Sequence, residues 1–170
     1  MDLFMVSLTA SEVTDVIQGA DVWELVELLQ DNPSRLLNLE EAWCGLHFVL
    51  TGEVPILKYE AIQRGTPWYE DSLENILMGG EPTAYKCAFG MVRCVPPGMV
   101  AYMAPRLVGV GVSDLRLWYN PEILIENSIP PEIWSEDASA LQWLLNNFVE
   151  MKKFYHDTAR QNYGLLIYIT

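Results

Sequence analysis

The sequence predicts an α+β fold, with a mixed sheet that includes N- and C-terminal strands and several packed helices, the last of them long. Residues 2–8 are apolar and rich in strand-forming residues. Residues 165–169 are apolar on both faces, which is typical of an interior strand covered on each side. Between these segments, apolar residues recur at helical spacing. We expect one domain over residues 1–170, because this length supports one substantial core.

Two short helices are predicted after the first strand. Thr9 and Glu12 have the spacing of a capping box, and Asp21 and Glu24 repeat that spacing. A turn is then predicted at residues 32–34, where Asn, Pro and Ser follow one another.

The clearest amphipathic helix is predicted over residues 39–52. Asn38 is expected to be its N-cap and Glu41 to complete a capping box, while Gly52 is expected to end it. Four large apolar residues recur at positions i, i+4, i+7 and i+11: Leu39, Trp43, Leu46 and Leu50. This stripe predicts a helix that packs into the core.

The second half of the chain alternates between predicted strands and helices. Residues 87–95 and 99–103 are candidate strands of a hairpin, joined through Pro-Pro-Gly. Short helices are predicted at residues 113–119 and from Pro121, for which Asn120 supplies the cap. The longest helix is predicted over residues 136–162.

His47 is the residue that most invites a functional interpretation, since it lies one turn after Trp43 at the border of the apolar face. It is either a hydrogen-bonded histidine at the edge of the core or a ligand-binding or acid–base residue. In the second case Glu81 is a candidate partner, and the glycines before it can admit a ligand. Trp43 on the same helix and Trp134, which lies near a turn, are further binding candidates. No catalytic residue is assigned, because G-x-S-x-G and H-E-x-x-H motifs are both absent.

The cysteines allow two interpretations, a metal site and free thiols. Cys44 and His47 are three residues apart and Cys87 and Cys94 follow, which is the right number of ligands for zinc. The spacing between the last two is loose for a zinc knuckle or ribbon. Three cysteines at irregular spacing fit free thiols in a reducing compartment better, so no metal or cofactor is expected.

The net charge of −13 limits the classes of molecule that the protein is expected to bind. Nucleic acid is disfavoured, since this surface repels phosphate. The acidity serves solubility or steers the protein toward a basic protein partner. A bilayer-spanning apolar run and the basic start of a signal peptide are both missing from the sequence, so a cytoplasmic location is expected.

Several segments together resemble the YfbM-like family of small bacterial proteins, a family of unknown function. The resemblance lies in Trp-x-Gly-Leu-His-Phe-x-Leu-Thr-Gly at residues 43–52, Gly-Gly-Glu-Pro at residues 79–82 and Pro-Pro-Glu-Ile-Trp at residues 130–134. A long helix followed by a terminal apolar strand matches in order. The resemblance implies an α+β fold and a cytoplasmic protein, and it supplies no catalytic mechanism.

Two functions therefore remain open. The first is a non-catalytic binding or protein-interaction module, with an inhibitor or immunity protein that masks a basic partner as its sharper form. The second is a small hydrolase or transferase that uses His47 with Glu81 or another carboxylate.

Overall fold

A five-stranded sheet lies between two layers of helices in the computed structural model, which describes residues 1–29, 32–55, 73–136 and 138–170. The strand order is β2-β1-β5-β4-β3. The strands are β1 (Leu3–Leu8), β2 (Leu36–Asn38), β3 (Glu81–Cys87), β4 (Gly90–Val95) and β5 (Gly164–Ile169). The α+β class is confirmed. Every described pairing is antiparallel, so the strand directions differ from the mixed sheet that the sequence predicts.

β5 occupies the centre of the sheet, as its apolar sequence predicts. All six of its residues are buried, and it pairs with β1 on one side and β4 on the other. Because side chains alternate along a strand, Leu165 and Ile167 enter one core while Leu166 and Tyr168 enter the other. The two ends of the described chain thus meet as neighbouring strands.

Eight α-helices and one 3-10 turn (Pro33–Arg35) accompany the sheet in the described residues. The helices are α1 (Ala10–Ile17), α2 (Val22–Leu29), α3 (Ala42–Thr51), α4 (Asn75–Met78), α5 (Pro97–Gly109), α6 (Val112–Trp118), α7 (Pro121–Glu126) and α8 (Ala138–Arg160). α1 and α2 cover one face of the sheet, and the other helices contribute to the core on the opposite face. None of the described helices has the length and apolarity needed to cross a bilayer.

Several local signals in the sequence are confirmed. Thr9 Oγ1 accepts from the amide of Glu12 (3.2 Å) while the Glu12 carboxylate accepts from the amide of Thr9 (2.7 Å), which completes the capping box of α1. Asn120 Oδ1 accepts from the amide of Ile123 (3.2 Å) and caps α7. Gly52 ends α3 in the left-handed conformation, with φ of 75°.

The predicted start of α3 is wrong. Asn38 belongs to β2, where it pairs with Phe4, and its side chain accepts from the amide of Glu40 (2.7 Å). The helix begins at Ala42 and its cap residue, Glu41, makes no side-chain capping bond. Pairing with β1 places the cap-like residue in a strand, which local sequence alone does not reveal.

The predicted strand over residues 99–103 is also wrong, because these residues lie in α5. Pro97 stands in the first turn of that helix, where its missing N–H costs nothing. The buried residues recur at helical rather than alternating spacing: Val100, Met103, Ala104 and Leu107. The hairpin exists earlier in the chain, between β3 and β4.

Two further helix predictions differ at their ends. α8 spans Ala138–Arg160, inside the predicted range of 136–162, and ends two residues earlier than predicted. The sequence also predicts a short helix over residues 71–78, before the two glycines at 79 and 80. Its first residues lie outside the described part of the chain, and α4 occupies its second half.

Candidate functional site

Trp43 and His47, two of the predicted site residues, are core residues of α3. Each side chain is 1% exposed. The indole N–H of Trp43 donates to the carbonyl oxygen of Met1 (3.2 Å), which ties the helix to the start of β1. The stripe of Leu39, Trp43, Leu46 and Leu50 is buried, as predicted.

Glu81, the proposed partner of His47, has a different environment. It is exposed at the first position of β3, an outer strand of the described sheet. A general acid or base must reach its substrate, and an imidazole that is 1% exposed reaches solvent only if the surrounding core opens. This placement favours a core role for His47, and the hydrolase or transferase remains an untested prediction.

Trp134, the fourth predicted site residue, is 2% exposed and fixes the packing of α3. Its indole N–H donates to the carbonyl oxygen of Ile129, and its ring lies 6.3 Å from the rings of both Tyr119 and Trp143. A Cβ atom on Gly45 would lie 2.4 Å from this indole, so only glycine lets α3 approach so closely. Two of the segments that carry the family resemblance are therefore packed against each other.

The Gly79-Gly80 turn also has a packing explanation. Arg93 of β4 is buried and donates from Nε to the carbonyl oxygen of Gly79 (3.1 Å) and from its terminal nitrogen to that of Gly80. Gly80 has φ of 91°, and a Cβ on Gly79 would lie 2.2 Å from the carbonyl oxygen of Asn75. These glycines allow the close backbone packing that positions the start of β3.

The cysteines do not assemble with His47 into a metal centre in the part of the chain that the structure describes, which holds no cluster of three or more potential ligands. Burial raises the pKa of the Cys44 thiol to about 12 and that of Cys94 to about 11. Cys87 is half-buried. The first two thiols are therefore protonated and poorly nucleophilic at neutral pH.

An open cleft lies on the other side of the sheet, between α2 and the strands β1, β2 and β5. Its volume is about 620 Å³. We call it the aromatic cleft, and its lining residues are Phe4, Trp23, Val26, Glu27, Leu36, Tyr168 and Thr170. None of these carries a positive charge.

The three aromatic rings of this cleft form a corner. Phe4 stacks on Tyr168 with ring centroids 5.2 Å apart and an angle of 10° between the rings. Trp23 stands across Tyr168 at 83°, with centroids 5.3 Å apart. Tyr168 is largely covered, and burial raises the pKa of its phenol, which is neutral at physiological pH. Trp23, 38% exposed, offers the most open ring surface.

The part of the chain that forms this side of the molecule is strongly acidic. Residues 1–29 contain no Lys, Arg or His but six carboxylates: Asp2, Glu12, Asp15, Asp21, Glu24 and Glu27. The first cation, Arg35, is committed to a bidentate contact with Glu12 and to the carbonyl oxygen of Ser7 (2.8 Å from Nε). The elements on this side of the sheet therefore carry a net negative charge.

The contact with Arg35 stabilises the ionised carboxylate of Glu12. Burial alone raises the pKa of its carboxyl group, but hydrogen bonds from Arg35 and Thr9 outweigh burial and place the pKa below its ordinary value. The pair joins α1 to the segment that precedes β2 and so supports one wall of the aromatic cleft.

None of the predicted site residues lies in the aromatic cleft, and sequence reasoning missed it. The sequence holds one signal of it. The buried stripe of α2 comprises Val22, Val26 and Leu29, and Trp23 lies outside that stripe. A large aromatic residue outside the buried stripe of an acidic helix is a candidate binding residue.

Smaller clefts flank residues 129–134. One of about 370 Å³ is lined by Trp143 and Glu136 among others, and one of about 290 Å³ by Trp134 and Glu132 among others. In the second, the tryptophan contributes little accessible surface. The aromatic cleft is larger than both, and it combines the partly exposed ring of Trp23 with the Glu27 carboxylate.

Comparison with known proteins agrees with the fold. A family model described as "Domain of unknown function (DUF1877)" matches residues 1–168. The structure is similar to the crystal structure of YfbM from Escherichia coli, a protein of unknown function, with a TM-score of 0.71, 17% identity and 98% of each chain covered. At that identity the likeness shows the fold alone. The comparison with curated proteins gives no match. The YfbM-like resemblance of the sequence is thus confirmed, and the chain belongs to the DUF1877 family.

Proposed function

We propose that this chain is a non-catalytic protein-interaction module that binds a basic protein partner through the aromatic cleft and the acidic surface around it. The observation that carries the proposal is the coincidence of a cleft with a partly exposed tryptophan and a part of the chain, residues 1–29, that has six carboxylates and no Lys, Arg or His. An inhibitor or immunity protein acting in the bacterial cytoplasm is the specific form of this proposal.

Two physical arguments support it. Partly exposed tryptophan is among the residues most often responsible for binding energy, because it buries a large area at a small entropic cost. Ile17 and Leu28 of the same helical layer are 69% and 73% exposed, so this layer offers further apolar surface. A negative potential over such a surface accelerates encounter with a positively charged protein and disfavours negatively charged ones.

The proposal is tested by placing the photo-crosslinking residue p-benzoylphenylalanine at position 23 in the native host. The matched control is the same residue at position 118, since Trp118 is also an exposed tryptophan (44%) but lies on α6, across the sheet from the cleft. We expect one dominant crosslinked partner of net positive charge at position 23 and not at position 118. With that partner purified, Trp23→Ala should weaken binding by about 2 kcal/mol, or roughly thirtyfold.

The same crosslinked proteins at both positions would contradict the proposal. So would a partner of net negative charge, or an affinity that Trp23→Ala and Trp118→Ala change equally.

A further inference from the structure

We propose that the aromatic cleft receives the side chain of an arginine. This inference rests on the proposed function and specifies which group of the basic partner enters the cleft.

The arrangement of the rings is the first argument. Tyr168 holds Phe4 parallel to itself and Trp23 nearly perpendicular, so two ring planes meet at a corner. Aromatic faces carry negative charge density and attract a cation placed over them, and Trp provides the strongest such face. The flat guanidinium group stacks on one plane of a corner of this kind.

Glu27 supplies the second argument. It follows Trp23 by four residues on α2, so both side chains lie on the same side of the helix and line the cleft. Within the described residues Glu27 forms no ion pair. Its carboxylate is therefore available to accept two hydrogen bonds from one guanidinium group, which is the preferred geometry of that pair.

The remaining lining residues explain why arginine suits the cleft better than an uncharged ligand. Leu36, which is half-buried, offers apolar surface for the methylene stem of the side chain. A neutral apolar ligand would instead cover the Glu27 carboxylate without pairing it, which is costly. Lysine would satisfy the charge but not the planar, bidentate contact.

The test uses two blocked tripeptides, acetyl-Gly-Arg-Gly-amide and the same peptide with citrulline, which has the shape of arginine without its charge. Binding is followed by NMR through the indole and backbone amide signals of the intact protein, so that variants without the Trp23 indole can be measured as well. We expect saturable shifts of the Trp23 signal with the arginine peptide, at a Kd of about 1 mM or weaker. The citrulline peptide should bind at least about fivefold more weakly.

Variants separate the two recognition elements. Trp23→Leu and Glu27→Gln should each weaken the arginine peptide, by about tenfold and several-fold, respectively. Trp118→Leu is the matched control and should leave the affinity unchanged. Both test residues are partly or fully exposed, so the variants are expected to fold, which the dispersion of the NMR spectrum verifies.

Equal affinity for arginine and citrulline, or an arginine affinity unaffected by Glu27→Gln, overturns this inference. If crosslinking at position 23 nevertheless identifies a basic partner, the proposed function stands without it. If the arginine peptide binds as expected but no basic partner is crosslinked, the proposed function fails and the cleft is an arginine site of another kind.

Discussion

Replacing Gly45 with alanine tests whether the contact between α3 and Trp134 determines the packing of this fold. The new Cβ atom would lie 2.4 and 2.9 Å from two atoms of the indole and 3.0 Å from a methyl carbon of Leu144. The indole has little freedom to move away. Its N–H is bonded to Ile129, and its ring packs with those of Tyr119 and Trp143.

The expected magnitude follows from two opposing effects. Glycine within a helix is less favourable than alanine by about 0.5–1 kcal/mol, so the substitution without a clash would stabilise the protein. Overpacking of a tight core costs about 1–3 kcal/mol, and a ring held on three sides favours the upper end of that range. The free energy of unfolding should therefore fall by about 2 kcal/mol, which lowers the melting temperature by roughly 4–8 °C for a chain of this length.

The assay is urea unfolding of Gly45→Ala, Trp134→Phe and the double variant. Phenylalanine removes the ring atoms that the new methyl would strike, so Gly45→Ala should be neutral or stabilising in that background, with a coupling energy of about 2 kcal/mol. Gly98→Ala and Gly109→Ala are controls, because a Cβ at either helical position meets nothing within 4 Å. The reasoning is refuted if Gly45→Ala, with Trp134 in place, is as stable as these control variants. It is also refuted if Gly45→Ala lowers the free energy of unfolding equally with Trp134 and with phenylalanine at position 134.

Two further predictions concern the pKa shifts. Because the pKa of Glu12 is lowered in the folded state, its pairing stabilises the protein above the pKa of the unfolded chain, and this stability is lost as the pH falls through the folded value. Arg35→Met should lower the free energy of unfolding, measured with urea, by about 1–3 kcal/mol at pH 7 and by less at pH 3. A loss of stability that is the same at both pH values would contradict this prediction. In the second, a thiol reagent at pH 8 should modify Cys87 in the native protein and reach Cys44 and Cys94 only after unfolding, because burial raises both of their pKa values. Rapid labelling of more than one thiol without denaturant would exclude this.

Signals that act within a few residues were readable from the sequence. The capping box at Thr9 and Glu12, the Asn120 cap and the Gly52 terminator depend on backbone groups within one helical turn. β5 was predictable for a similar reason, since a strand apolar on both faces is stable only in the interior of a sheet.

Features set by distant partners were not readable. Asn38 has the character of a helix cap but becomes the end of β2, because β1 is available to pair with it. Residues 99–103 resemble a strand, yet they form a helix because their apolar side chains are buried in the core that α3 and α8 also line. Long-range pairing and burial outweigh local propensity at both positions.

The candidate site shows the same division. By itself, the sequence determined the acidity of the chain, the absence of cations before Arg35, the family resemblance and the core stripe of α3. Only the tertiary structure decided that His47 and Trp134 are buried and that Phe4, Trp23 and Tyr168 meet in one open cleft. The physical reason is that the cleft exists through the pairing of β1 with β5 and the packing of α2 across them, contacts between residues at opposite ends of the chain.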